Sequence, residues 1–327
     1  MCGIAGAFDI PDASRVVSIM LKALQHRGQE AAGIVSSHER QFYEKRGFGL
    51  ADEVFSLVNF GQDLPGTMAI GHLRYPTSGE VHSPGAIQPL TAITLHHGPM
   101  ALVHNGNLTN DLPLREELDR IGVLFRSNGD SELILHLLAR SLGDETHKRI
   151  RQVFTQIEGA YSLIVMNGER IFVAVDPYGF RPLVMGRMDG GYLIASETCA
   201  LDLFSDVRDI VHILPGQLAE MGPDGIRYEQ FSQSTIHRHC SFEHIYFSRP
   251  DSWVFDESVD AVRVRLGQAL ARRNVIRTDV VIAVPDSSNT IALAYAEEAG
   301  LPFRFGLIRN HYTGRTFITP GQPAREL

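Results

Sequence analysis

The chain has 327 residues, 44% of them hydrophobic and 21% charged, and a formal net charge of −8. That length suits two domains, and the acidic balance argues against a broad nucleic-acid surface, which needs a basic face. The chain has no apolar run of about 18 residues to span a membrane, no basic-then-apolar leader, and only Cys2, Cys199 and Cys240, too few and too far apart for a disulfide framework. The expectation is a cytoplasmic protein partnered by neither nucleic acid nor membrane.

In chain order, residues 4–8 read as a short strand that delivers the N-terminus. Residues 14–25 follow as an amphipathic helix, with Val17, Met20, Leu21 and Leu24 at i, i+3, i+4 and i+7. Residues 66–73 and 101–104 read as strand ends running into glycine-rich loops, and 131–142 as a second helix. From Ala160 onward, short apolar runs at 161–166, 171–175, 183–185 and 192–195 are separated by turn sequences such as Asn167-Gly168 and Asp189-Gly190-Gly191. Such punctuation predicts an antiparallel sheet, and strands flanking helices predict a layered α+β domain.

Near residue 235 the pattern changes. Residues 259–273 have helical period, with Val259, Val262, Leu266 and Leu270 on one side and Ser258 placed to cap. An apolar strand at 280–284, the loop Pro285-Asp286-Ser287-Ser288, a helix at 289–299 and a strand at 303–308 make a strand–loop–helix–strand unit. That is the beginning of a parallel α/β sheet. The boundaries drawn are a first domain over 2–235 and a linker with an incomplete second domain over 236–327.

Removal of Met1 would leave Cys2 with a free α-amine. Such an amine has a pKa of about 7.7–8.0, against about 8.5 for a thiol. It is the one backbone group able to act as a base near neutral pH, so a terminal cysteine carries nucleophile and base on one residue. Three further clusters stand out: Gly71-His72-Leu73-Arg74, His104-Asn105-Gly106-Asn107 and Asn128-Gly129-Asp130-Ser131-Glu132. Taken singly, an arginine in a glycine-rich loop reads as surface charge, Asn-Gly as a turn and Asp130 as a helix N-cap. Taken together they are the parts needed to open an amino-acid amide. Arg74 suits the substrate carboxylate, Asp130 its ammonium, and the Asn105 amide with the Gly106 N–H the oxyanion.

These motifs, with Arg27-Gly28, resemble the class II glutamine amidotransferases, an N-terminal-nucleophile family with a four-layer αββα fold, over about residues 2–230. The resemblance implies Cys2 as nucleophile with its own amine as base, and Asn105 and Gly106 as the oxyanion hole. It implies Arg74, Thr77, Gly129 and Asp130 as glutamine-binding residues, and Arg27 as support for the terminal cysteine. The segment 74–85 resembles a lid that closes over glutamine. This half needs no cofactor.

Glu243-His244-Ile245-Tyr246-Phe247-Ser248-Arg249-Pro250-Asp251-Ser252 is similar to the interdomain segment of the amidophosphoribosyltransferase family, and Asp176-Pro177-Tyr178-Gly179-Phe180-Arg181 to its glutaminase half. Val284-Pro285-Asp286-Ser287 resembles its first phosphate-side loop, and 310–317 its flexible loop over phosphoribosyl pyrophosphate. The resemblance implies that ammonia from glutamine makes 5-phosphoribosylamine, the first committed step of de novo purine synthesis, in a homo-oligomer. It also implies Mg²⁺ on the phosphate side, where Asp286, Ser287 and Arg315 fall, with Ser287 as a magnesium ligand. Cys240 matches an iron–sulfur ligand of one subgroup; a single thiolate cannot hold a [4Fe–4S] cluster, so a structural cysteine is expected. Departures from the family are Ser288 where glycine is usual, Arg309 and His311 where lysine and arginine are, and no paired-aspartate strand before Leu327. Only the start of a type I phosphoribosyltransferase fold is therefore expected. Two alternatives stay open: a non-catalytic subunit or regulatory binding module, and a stand-alone glutaminase.

Overall fold

The computed structural model describes residues 1–75, 83–95, 97–141, 145–232, 236–274, 276–310 and 314–315. The chain begins β1 (Gly3–Phe8), α1 (Ala13–Ala23), β2 (Ala31–His38), β3 (Gln41–Phe48), two single turns α2 (Ala51–Val54) and α3 (Phe60–Asp63), and β4 (Met68–Arg74). Next come β5 (Leu90–Thr94), β6 (Gly98–Leu108), α4 (Asp111–Arg120), α5 (Asp130–Arg140) and α6 (Thr146–Gln156). The strands β7 (Gly159–Asn167), β8 (Arg170–Val175), β9 (Val184–Met188), β10 (Gly191–Ala195), β11 (Arg208–His212), β12 (Gln217–Gly222) and β13 (Gly225–Gln230) follow, then α7 (Val259–Arg273) and α8 (Asn289–Ala299).

Two sheets carry the first part. One runs β11-β9-β10-β1-β4-β2-β3, the other β13-β12-β8-β7-β6-β5. Their facing sides bury Ile4, Ile70, Val103, Ile164, Val173, Met185 and Ile194 in a common core. The outer face of the first sheet is covered by α1 through Val17, Met20, Leu21 and Leu24. That of the second is covered by α5 and α6 through Leu133, Ile134, Leu138, Val153 and Phe154. The order helix–sheet–sheet–helix is the four-layer αββα arrangement. Central strands such as β7 are buried on both faces, which explains runs such as residues 161–166 that do not alternate.

The single antiparallel sheet read from residues 161–195 is a correction: β7 and β8 pair in the second sheet, β9 and β10 in the first. The connection through Asp176 crosses from one sheet to the other, so sequence neighbours face each other across a core. The first long helix ends at Ala23, and residues 25–27 form one tighter turn.

In the second part, α7 and its Ser258 cap form as read, the hydroxyl accepting the Ala261 N–H at 3.3 Å. The buried stripe, however, is Val259, Arg263, Gly267 and Ala271, one residue round from the apolar stripe, and Leu270 is exposed. Close packing of α8 selects it: a Cβ on Gly267 would lie 2.3 Å from the Ile291 carbonyl oxygen and 2.9 Å from the Ala294 Cβ. The two strands expected at 280–284 and 303–308 reduce to a single parallel bridge, Val281 to Phe303. Val284, Phe305 and Ile308 are exposed. A parallel strand pair is stable when covered on both faces, and the described residues supply no second covering layer.

Candidate functional site

Cys2 stands immediately before β1, which is held on both edges, by β4 and by β10. Its N–H donates to Asn105 Oδ1 at 3.2 Å and its carbonyl accepts from Arg27 Nε at 3.1 Å. The Tyr75 N–H donates to Cys2 Sγ at 3.5 Å, and the thiol lies 3.7 Å from the Tyr75 carbonyl oxygen. Met1 and Cys2 are both buried. Burial pushes the Met1 α-amine down to about 5, with Arg27 and Arg181 acting in the same direction.

Asn105 and Gly106 lie inside β6, paired with Ser162 and Tyr161 of β7. The turn reading of Asn-Gly is thereby corrected: pairing with a buried neighbour strand outweighs local turn preference. Because Asn105 Oδ1 accepts from Cys2, its Nδ2 is the remaining donor, and it is buried with no partner among the described residues. A buried unpaired amide costs free energy and needs an explanation. On the edge of β6 turned from β7, the His104 N–H donates to Gln88 Oε1 at 2.6 Å and the Leu108 N–H to Asp130 Oδ2 at 2.9 Å. Strand alternation puts the Gly106 N–H on that same edge. Gly106 has no room for a side chain, since a Cβ would fall 1.9 Å from the Ala160 carbonyl oxygen.

Cys2 and Gly106 border an open cleft that is also lined by Arg74, Tyr75, Gly129 and Asp130 among others. Arg74, the last residue of β4, reaches Glu30 at 2.7 Å and is buried. Asp130 is the first helical residue of α5, with Gly129 at the cap, so its expected capping role is replaced by a bond to the β6 backbone. Burial would raise the Asp130 carboxyl, but His104, with Nδ1 at 3.6 Å, and the Leu108 N–H hold it below its usual value. The cleft thus has a cation at one side and an ionised carboxylate at another, with the thiol facing in. Thr77 and residues 76–82 of the expected lid lie outside the described residues.

Arg27 is fully buried. It binds Glu197 through one terminal nitrogen and Glu243 through both, at 3.1–3.2 Å. Burial opposes its charge, yet Glu243 and Glu197 hold its pKa above the ordinary arginine value. Glu197, also buried, is held well below the carboxylate range by His26 at 2.7 Å and by Arg27. The guanidinium is therefore rigid, with its Nε aimed at the Cys2 carbonyl.

The phosphate-side residues are not gathered in the same way. Arg309 binds Asp286 at 2.6 Å, and Ser287 follows Asp286 in the same loop. Arg315 instead donates to the carbonyls of His26 at 3.3 Å and Phe247 at 3.1 Å. Residues 311–313 and 316–317 of the expected flexible loop lie outside the described residues. Cys240 is half-buried and free, its N–H donating to Phe180. Among the described residues no group of three or more His, Cys, Asp or Glu could hold a metal ion.

Several positioning roles were not read from the sequence, although His72 and Glu132 stand within the motifs quoted above. Glu30 holds Arg74, and Glu132 ties the loop before α5 by accepting the N–H groups of Arg126 and Ser127 at 2.7 and 2.8 Å. His72 of β4 bonds the His104 carbonyl at 3.2 Å and so links the two sheets. Burial pushes His72 down to about 3, so the ring is neutral, and Nε2 carries the donated proton. Glu30 and Glu132 sit within three residues of motif positions, a usable signal. Glu197 and Glu243 had none beyond the similarity of the segment that contains Glu243.

A family profile described as a glutamine amidotransferase domain matches residues 72–203. Curated relatives include amidophosphoribosyltransferases of Rhizobium etli, 44% identical over 99% of this chain and 66% of theirs, and of Bacillus subtilis, 39% identical over 99% and 68%. A chloroplastic enzyme of Arabidopsis thaliana is 43% identical, with 57% of its length covered. The chain thus spans about two thirds or less of the length of such relatives. Among solved structures, the B. subtilis glutamine phosphoribosylpyrophosphate amidotransferase complexed with ADP and GMP superposes with a TM-score of 0.88 at 39% identity, covering 99% of this chain and 70% of that one. No helix among the described residues is long and apolar enough to cross a membrane. Likeness at 39–44% identity along 99% of the sequence means that the chain belongs to the amidophosphoribosyltransferase family.

Proposed function

We propose that this chain hydrolyses the side-chain amide of glutamine at Cys2 and directs the ammonia to phosphoribosyl pyrophosphate, giving 5-phosphoribosylamine. The observation that carries the glutaminase reading is the unpartnered Asn105 Nδ2, whose own oxygen is tied to the Cys2 nitrogen. In the processed chain the Cys2 amine takes the thiol proton and the thiolate attacks the amide carbon. Asn105 Nδ2 and the Gly106 N–H receive the oxyanion, an interaction made chiefly in the transition state. The amine returns its proton to the leaving nitrogen, ammonia departs, and water hydrolyses the γ-glutamyl thioester. Arg74 and Asp130 bind the carboxylate and ammonium of the substrate.

The acceptor reading rests on family membership and on the interdomain segment. Cytoplasmic location and homo-oligomerisation belong to the same proposal, the latter checked by light scattering. The test is glutamine hydrolysis by the full chain and by Cys2→Ala, each with and without phosphoribosyl pyrophosphate and magnesium. Glutamate release that depends on Cys2 supports the first half, and stimulation by phosphoribosyl pyrophosphate the second. Hydrolysis that survives Cys2→Ala would overturn the whole.

A further inference from the structure

Glu243 lies beyond the two sheets, in the segment leading to α7, and is completely buried. It opens a single wide turn, Glu243–Phe247, closed by the Ser248 N–H donating to the Glu243 carbonyl at 2.9 Å, five residues back. Its carboxylate accepts from both terminal nitrogens of Arg27 at 3.1–3.2 Å and from Ser248 Oγ at 3.0 Å, with Arg181 at 3.4 Å. Arg27 in turn donates to the Cys2 carbonyl at 3.1 Å. The second carboxylate on Arg27, Glu197, is shared with His26, Ser252 Oγ at 2.7 Å and the Arg249 N–H at 2.9 Å. Glu243 is therefore the carboxylate most committed to Arg27.

We propose that Glu243 is a positioning residue of the cysteine site: supplied from outside the four layers, it holds Arg27 against the Cys2 carbonyl and balances the charge beside the terminal amine. The charged groups facing that place are Arg27, Arg181, Arg315 and the buried Arg263 of α7, which donates to the His244 and Ser248 carbonyls, against Glu197 and Glu243, with His26 on Glu197; Arg249 is matched by Asp251 at 2.9 Å. Removing the Glu243 charge leaves Arg27 with Glu197 alone, a carboxylate it shares with His26, and takes from Arg181 its carboxylate partner. A terminal amine beside that excess protonates less readily, because nearby positive charge disfavours its cationic form. A buried ion pair that only glued two segments together would alter stability and leave the pH dependence of turnover in place.

The inference rests on Cys2 being the nucleophile, and the experiment separates the two. On the full chain with Met1 removed, Glu243→Gln keeps the size and the Ser248 bond while deleting the charge. Its kcat for glutamine hydrolysis should fall about tenfold or more, because slight misplacement of a nucleophile is costly. The glutamine KM should stay within about twofold, and the acid limb of the kcat/KM profile should move to lower pH. Glu243→Asp, which keeps the charge with a shorter reach, should lower kcat without moving the limb. A Gln variant that folds and gives the parent's kcat and the parent's pH profile overturns the inference. If the Gln variant does not fold, the Asp variant decides: an unchanged kcat overturns it. Loss of dependence on Cys2 would instead sink the underlying reading, whatever Glu243 does.

Discussion

The side chain of Asn105 faces Cys2 with its oxygen, at 3.2 Å from the backbone nitrogen, and leaves its buried Nδ2 unpartnered. One residue thus bonds the Cys2 backbone nitrogen and leaves a buried donor beside it; on the proposed mechanism that donor meets the oxyanion. Asn105→Ala should lower kcat for glutamine hydrolysis by about 10²–10³-fold with little change in KM. Arg74→Ala should chiefly raise KM, by about 10–100-fold, since a charge-assisted bond to the substrate carboxylate forms in the ground state too. Steady-state kinetics on both variants check this division, and identical signatures would refute it.

Gly106→Ala tests the same strand sterically. The added methyl would meet the Ala160 carbonyl oxygen at 1.9 Å and His104 Nε2 at 2.7 Å, so β6 must shift away from β7. A shift there moves the Asn105 side chain and the Gly106 N–H, the two proposed oxyanion donors, together. The expected result is a folded protein with turnover reduced about 10²-fold or more, measured alongside the circular dichroism spectrum; full activity would show that the strand absorbs the methyl without displacing the site.

The buried Met1 gives a third expectation. An active preparation should lack Met1 by intact-mass measurement, because hydrolysis needs the amine on Cys2 itself. A fraction that retains Met1 should be inert, its Cys2 nitrogen being an amide. Full specific activity in a homogeneous Met1-bearing sample would remove the amine from the mechanism.

His72 supplies a pH dependence of stability. Its folded pKa of about 3 lies below the unfolded 6.5, so the folded state binds fewer protons between those values. The stability it contributes is complete above pH 6.5 and is lost as pH falls towards 3. The shift corresponds to roughly 5 kcal/mol at most. His72→Gln keeps an N–H for the His104 carbonyl and removes the titration. Denaturant midpoints of the parent should therefore fall more steeply than those of the variant between pH 6.5 and 4; parallel curves would count against a neutral, buried imidazole.

Local chemistry was legible where one segment suffices. The Ser258 cap, α8 and the α1 stripe each follow from spacing within a dozen residues, and each forms. Spacing alone failed where another segment decides the outcome. The α7 stripe rotates because α8 packs on Gly267. Asn105-Gly106 stays extended because β7 pairs with it. The strands at 280–284 and 303–308 shrink to one bridge for want of cover.

The same distinction holds at the site. The sequence by itself determined which groups are available: a cysteine at position 2, an amide beside a glycine, an arginine ending a strand and an aspartate opening a helix. Such identities follow from residue chemistry and need no fold. Only the tertiary structure decided how they are held. Glu197 and Glu243 stand 170 and 216 residues from Arg27, and Asn105 stands 103 from Cys2. No periodicity reports such pairings, because burial in a common core, not sequence spacing, brings a guanidinium to two carboxylates and a side-chain amide to the Cys2 backbone nitrogen.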